Sequence, residues 1–180
     1  MVYDLAIKSE EIGMIIKKAL ESDIDAIEAI YAEARAFMRK SGNLLQWQGG
    51  YPGREVIASD IKSESLYKVC EDDSDLPIAV FFFNIGIDPT YLKIYGGEWL
   101  CPEREYGVIH RIAIAESAHG KGVGRFCFDF CYSIIQNLRI DTHKDNLPMR
   151  RSLAKAGFSE RGIIYLASGD ERIAFQKTGE

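Results

Sequence analysis

Ile109-His110-Arg111-Ile112-Ala113-Ile114-Ala115-Glu116-Ser117-Ala118-His119-Gly120-Lys121-Gly122-Val123-Gly124 decides how this chain is read. Val108 to Ile114 is an apolar run of strand character, and glycine then recurs at 120, 122 and 124. Phe126 to Ile135 follows with the composition of an apolar helix. A strand thus passes through a glycine loop directly into a helix. Glycine lets the backbone turn tightly and approach a ligand without a Cβ clash. Successive amides then face one concavity at a helix N-terminus, where the dipole also favours an anion. Lys121 and Arg125 add formal charge, so a phosphate or pyrophosphate is the expected guest.

Two phosphate loops fail on spacing. A P-loop requires G-x-x-x-x-G-K-[ST], whereas Arg125 and Phe126 follow Gly124. A dinucleotide fingerprint requires G-x-G-x-x-G in a first βαβ unit. Here the spacing is G-x-G-x-G, position 125 is Arg, and the preceding strands form a meander.

Upstream, Met14 to Ala19 reads as a strand. A helix follows from Ser22, a candidate cap, with Asp23 and Asp25 in the first turn. Ile24, Ile27, Ile30, Tyr31, Ala34, Phe37 and Met38 recur at helical spacing until Ser41-Gly42-Asn43. Arg54 to Lys62 predicts a second helix with Val56, Ile57 and Ile61 inward. Ser65 to Cys70 and Pro77 to Ile87 predict strands around the polar turn Glu71 to Asp75. Phe81-Phe82-Phe83 is expected in the core. Gly96-Gly97 argues against a helix within Tyr91 to Pro102. Downstream, Leu138 to Thr142 is a strand, and Pro148 to Lys155 is a helix stopped by Gly157. Phe158 to Leu166 and Arg172 to Phe175 are strands around Ser168-Gly169-Asp170. The order β, α, α, β, β, β, α, β, α, β, β is that of an α+β (mixed α/β) fold.

A chain of 180 residues, 47% hydrophobic and 27% charged, is one globular domain, expected over 14–180 with 1–13 as an N-terminal extension. The net charge of -5 argues against a fold-wide grip on nucleic acid. No apolar run approaches the ~20 residues of a membrane span, and residues 1–13 lack a signal-peptide block, so a cytoplasmic chain is expected. Cys70, Cys101, Cys127 and Cys131 form no C-x-x-C pair and read as free thiols, and no metal site is expected. Asp141 beside Arg139 reads as a surface ion pair. Exposed apolar residues around Tyr91 to Trp99 offer a surface for a homodimer.

The loop and its flanks resemble the GCN5-related N-acetyltransferase (GNAT) superfamily. His119-Gly120-Lys121-Gly122-Val123-Gly124 matches the family's coenzyme A loop, [RQ]-x-x-G-x-[GA], at both defining glycines, with His119 in place of Arg or Gln. Asn146 after the strand Leu138 to Thr142, then a helix, then Gly157-Phe158, has the spacing of the family's downstream block. The resemblance covers residues 14–177. It implies a twisted, mostly antiparallel sheet of six to seven strands with helices on both faces.

The resemblance also implies acetyl-CoA as cofactor and direct attack by a primary amine of a small molecule or peptide. Backbone amides of Ile112, Ala113 and Ile114 would bind the pantetheine arm and polarise the thioester. His119, Gly120, Lys121, Gly122, Val123, Gly124 and Arg125 would hold the pyrophosphate, and Asn146 would contact coenzyme A. The family's usual acid is a Tyr seven residues after the Asn, and that position here is Leu153. Tyr165 is the substitute acid, His110 the candidate base and His143 a candidate relay. Trp47, Gln48 and Tyr51 lie where the fold shapes its acceptor pocket. Each has a plainer reading: a satisfied core histidine at 110, packing for Tyr165 and the Trp47 loop, a loop cap at His143. Leu153 favours one rival, a non-catalytic acyl-CoA sensor or interaction module. A second rival is a nucleotide-binding α/β protein.

Overall fold

The computed structural model describes the backbone of residues 7–9 and all of residues 13–179. Of the segment read as an extension, residues 1–6 and 10–12 lie outside the described residues. The elements are β1 (Ile7–Ser9), β2 (Met14–Lys18), α1 (Ile24–Lys40), α2 (Arg54–Lys62), β3 (Leu66–Glu71), β4 (Ala79–Ile85), β5 (Gly107–Ile114), α3 (Val123–Ile134), β6 (Asn137–Thr142), α4 (Leu147–Lys155), β7 (Ser159–Tyr165) and β8 (Glu171–Thr178). From β2 onward this is the expected order, and β1 is an addition of three residues. The hydrogen-bonded strand order is β1-β2-β3-β4-β5-β6-β8-β7.

The chain forms two compact units. The first takes in the described residues up to Phe37, with Trp47–Phe82 and Arg111–Cys127. In it β1, β2, β3 and β4 pair antiparallel in succession. Ile27 and Tyr31 of α1, Ile57 of α2, and Leu66 and Val80 are almost wholly buried together. Their helical spacing in α1 and α2 presents one apolar stripe to the strands. Ala79, Val80 and Phe81 are all buried, as expected of an apolar run covered on both faces. Phe37 departs from expectation: it is 41% exposed, and its ring meets that of His119 edge-on at 5.1 Å.

The start of α1 also differs from expectation. A 3-10 turn, Glu21–Asp23, precedes it, and the Asp23 carboxylate, not Ser22, accepts from the Leu20 amide at 2.8 Å. The same carboxylate receives the ammonium of Lys68 at 2.9 Å, and the Lys68 side chain is 1% exposed. A buried charge persists only when paired, and Asp23 supplies the pair with help from Asp75.

The second unit takes in Met38–Gln46, Phe83–His110 and Phe128 onward. β5 pairs parallel with β6 through Gly107 to Ile109, β6 pairs antiparallel with β8, and β8 with β7. Tyr91, Trp99, Tyr106, Val108, Ile164 and Ala174 form its buried cluster. The Tyr91 to Pro102 stretch is irregular, as the glycines imply. Tyr95 makes an isolated bridge to Ile163, and a Cβ on Gly97 would lie 1.8 Å from the Arg161 carbonyl oxygen, so only glycine fits. The four cysteines are free, three of them buried. Among the described residues no helix is long and apolar enough to cross a membrane.

Candidate active site

The glycine loop lies in the first unit. A 3-10 turn, Glu116–Ala118, leads to Gly120 at φ +78° and Gly122 at φ +80°, and α3 begins at Val123, three residues before the expected start. A Cβ at either glycine would meet nothing within 4 Å. Glycine is needed here for its left-handed conformation, not for space. The His119 amide donates to Glu116 and the Lys121 amide to Ala118. Among the described residues no protein acceptor takes the amides of Gly120, Gly122, Val123 or Gly124. Four donors at one helix N-terminus, with Lys121 and Arg125 exposed beside them, fit a diphosphate. The ring Nε2 of His119 lies 3.1 Å from the Ile114 carbonyl oxygen.

A recess of about 420 Å³ touches the loop only at Lys121. Glu71, Asp72 and Asp73 also line it, and Glu71 lies 3.7 Å from the Lys121 ammonium. Three carboxylates repel a phosphate, so this recess does not suit an anion.

The strand upstream carries a kink that the apolar run conceals. Arg111 has φ +50° within β5. A bulky residue in that region is strained unless its surroundings hold it there. Here they do. Asp60 accepts both Nε and Nη2 of Arg111 at 2.9 Å, a forked ion pair. The Tyr51 hydroxyl accepts from Nη1 at 3.1 Å, and the guanidinium lies 4.6 Å from the Phe82 ring centroid. The Tyr31 hydroxyl donates to the Arg111 carbonyl at 2.9 Å, and burial pushes the Tyr31 pKa well up, so it stays a donor. Of the expected acceptor loop, Tyr51 is thus engaged by Arg111. Trp47, at φ +58°, meets the Tyr31 ring edge-on at 5.5 Å, and Gln48 is exposed. Residues 112 to 114 follow the kink directly, with Ala113 buried and its neighbours half-buried.

His110 lies in the second unit, between carboxylates that sequence reading missed. Its Nε2 is 2.7 Å from Asp88 Oδ2 and its Nδ1 is 3.7 Å from Asp141 Oδ1. The Tyr91 hydroxyl donates to that same Asp141 oxygen at 2.7 Å. Burial acts to raise the Asp88 pKa, but hydrogen bonds from His110 and Thr90 outweigh it and bring it down to about 2. The expected surface pair between Asp141 and Arg139 is not formed. Arg139 is buried between Trp99 and Tyr106, at 4.3 and 3.8 Å from their ring centroids. Aromatic faces hold this cation in place of a carboxylate.

Asn146 caps α4: its Oδ1 accepts from the Met149 amide at 3.3 Å, and its Nδ2 donates to Gln46 Oε1 at 3.0 Å. Gln46 Oε1 also accepts from Asn43 and Thr142. Both ends of the Asn146 amide are thereby engaged with protein. His143 is 6% exposed and closes the loop after β6, its Nδ1 accepting from the Asp145 amide at 3.2 Å. Burial, then the charge of Arg172, lowers its pKa, which keeps the ring neutral. Tyr165 is 46% exposed and packs edge-on against Tyr95 at 5.4 Å. Among the described residues no hydrogen bond or ring contact joins Tyr165 to His110 or His143. Leu153 is wholly buried.

No family model matches the sequence, and no curated protein matches it. Solved structures do. A GNAT-family acetyltransferase from Streptococcus agalactiae is 32% identical, with a TM-score of 0.84 over 93% of this chain and 96% of that one. One from Listeria monocytogenes is 14% identical, with a TM-score of 0.71 over 97% and 100% of the two chains. A chain of the NatC complex solved with Gag peptide and CoA is 13% identical, with a TM-score of 0.62 over 93% and 99%. The latter two share the fold alone. With the first, sequence and fold agree over almost the full length of both, and the chain belongs to the GNAT family of acetyltransferases.

Proposed function

We propose that the protein is an acetyl-CoA-dependent N-acetyltransferase that acetylates a primary amine by direct attack in a ternary complex. The observation that carries this is the run of unaccepted amides at Gly120, Gly122, Val123 and Gly124, opening α3 in a chain of this family. These amides, with Lys121 and Arg125, bind the pyrophosphate. The bound cofactor supplies an acyl group activated as a thioester. The amides of Ile112, Ala113 and Ile114, which follow the clamped kink at Arg111, would hold the pantetheine arm and would stabilise charge on the thioester oxygen. Trp47, Gln48 and Tyr51 shape the acceptor side. His110 removes the proton from the acceptor ammonium. Tyr165 remains the candidate acid. Most of the acceleration comes from holding amine and carbonyl carbon together.

One observation favours a second reading, a non-catalytic acyl-CoA sensor. Leu153 sits fully buried where the usual acid would stand, so α4 presents no hydroxyl there. Thiol release from acetyl-CoA against a panel of small amines and peptide N-termini separates the two. Amine-dependent release supports the enzyme. Coenzyme A binding with no release on any amine supports the sensor.

A further inference from the structure

The Asp88–His110–Asp141–Tyr91 cluster has a built-in direction. Asp88 is fixed before it meets the imidazole: its Oδ1 accepts from the Thr90 amide at 2.7 Å, and its own amide donates to the Tyr106 hydroxyl at 3.0 Å. Its Oδ2 then meets His110 Nε2 at 2.7 Å, with both side chains about four-fifths buried. A carboxylate that already accepts from a backbone amide through one oxygen meets the ring with the other as a second acceptor. The ring nitrogen facing it must therefore be the one that carries hydrogen. On the other side, Asp141 Oδ1 is 3.7 Å from Nδ1, about 1 Å beyond a charge-assisted hydrogen bond. The Tyr91 hydroxyl holds that oxygen in place. Tyr91 is 1% exposed, and burial followed by the charge of Asp141 drives its pKa far up, so it acts as a fixed donor and not a proton source. Its ring centroid lies 5.7 Å from that of His110. Asp88, Asp141 and Tyr91 are among the groups that face the imidazole, and Tyr106 stands behind Asp88.

We propose that Asp88 is a positioning residue for His110, holding the imidazole hydrogen on Nε2 so that Nδ1 is the atom that accepts the acceptor's proton, and that Asp141 receives the Nδ1–H so formed. This rests on the reading of His110 as the base. The step balances: an N–H bond of the ammonium breaks, its electron pair stays on the amine nitrogen, and an Nδ1–H bond forms. The resulting imidazolium lies between two carboxylates and later returns its proton to solvent across its partly exposed edge. A mere tether between β5 and the Asp88 turn would need neither a fixed tautomer nor the Tyr91–Asp141 pair.

The test uses ¹⁵N–¹H long-range spectra of the full chain without ligand, with His110→Gln assigning the ring among three histidines. The wild-type ring is expected as the Nε2–H tautomer. In Asp88→Asn the new amide can donate to Nε2, and the tautomer is expected to move to Nδ1–H. Turnover in that variant is expected to fall about 10- to 100-fold in kcat, with acceptor KM changed less than about threefold. Asp141→Asn is expected to keep the Nε2–H tautomer and to lower kcat with acceptor KM little changed, because the Nδ1–H formed in the step loses its acceptor. An Nδ1–H tautomer in the wild type overturns the proposal, and this needs no variant to fold. So does an Asp88→Asn protein with unchanged tautomer, or with a changed tautomer and unchanged kcat. Full turnover in His110→Gln sinks instead the reading of His110 as base, while the spectra still report what Asp88 does.

Discussion

Gly122 carries its weight through one dihedral angle. At φ +80° with open space around it, a side chain costs conformational energy alone, about 1–2 kcal/mol. Gly122→Val is therefore expected to fold, to lose a few degrees of melting temperature, and to weaken coenzyme A binding about tenfold or more as the loop amides turn away. Calorimetric titration reads the binding and a thermal scan the stability. An unchanged dissociation constant would remove the loop from the site. Asp88 sets a pH window. Its folded pKa of about 2 lies below the ordinary 3.8, so its contribution is complete above about pH 4 and disappears as pH falls toward 2. The expected size is about 2 kcal/mol. Acid unfolding of Asp88→Asn should lack this component, and superimposable acid titrations of variant and wild type would contradict it. The sequence shows Asp88 only as the residue before Pro89 that ends a strand. Its partner lies 22 residues away, and nothing local signals that pairing. Asp141 misled for the opposite reason. The nearby Arg139 was an obvious partner in sequence, but the aromatic slot of Trp99 and Tyr106 claims it.

At the scale of elements, the order of strands and helices from β2 onward was legible, because apolar periodicity and glycine punctuation are local signals. The bounds of α2 were read to the residue, and those of α3 were not, since Val123 and Gly124 belong to helix and loop at once. The kink in β5 was invisible. Arg111 in an apolar run carries no sign of a left-handed backbone, which is imposed by Tyr31, Tyr51 and Asp60 from distant elements. Asp60→Ala leaves the guanidinium without its carboxylate and is expected to cost about 3 kcal/mol. If the clamp also aims the amides that follow, kcat falls further than stability alone explains. Urea unfolding and steady-state rates below the transition distinguish the two effects. Equal stability in variant and wild type would show the fork to be idle. Between the turn before α1 and β3, Lys68 and Asp23 form the most deeply buried ion pair among the described residues of the first unit. Burial acts to lower the Lys68 pKa, but the hydrogen bonds to Asp23 and Asp75 outweigh it, and the ammonium titrates above its ordinary range. Lys68→Met strands the Asp23 carboxylate and is expected to destabilise by about 3 kcal/mol in urea. A variant as stable as wild type would mean that Asp23 finds water instead.

For the molecule as a whole, composition limited the answer to a globular α+β domain, and the 119–124 loop with Asn146 and Gly157-Phe158 narrowed it to one family. Identity of 32% to a GNAT acetyltransferase over nearly all of both chains agrees with that. The acceptor is not legible in the sequence, because no periodicity encodes the mutual placement of loop side chains. In the first unit Tyr51 meets Arg111 and Trp47 meets Tyr31, and in the second His110 stands with its two carboxylates. The most direct test is thiol release from acetyl-CoA by wild type and Gly122→Val, each with and without a panel of primary amines. The expected result is release that depends on both protein and amine in the wild type and is lost in the variant. No coenzyme A binding by the wild type, or equal release from both proteins, would contradict the assignment of the glycine loop as the cofactor's seat.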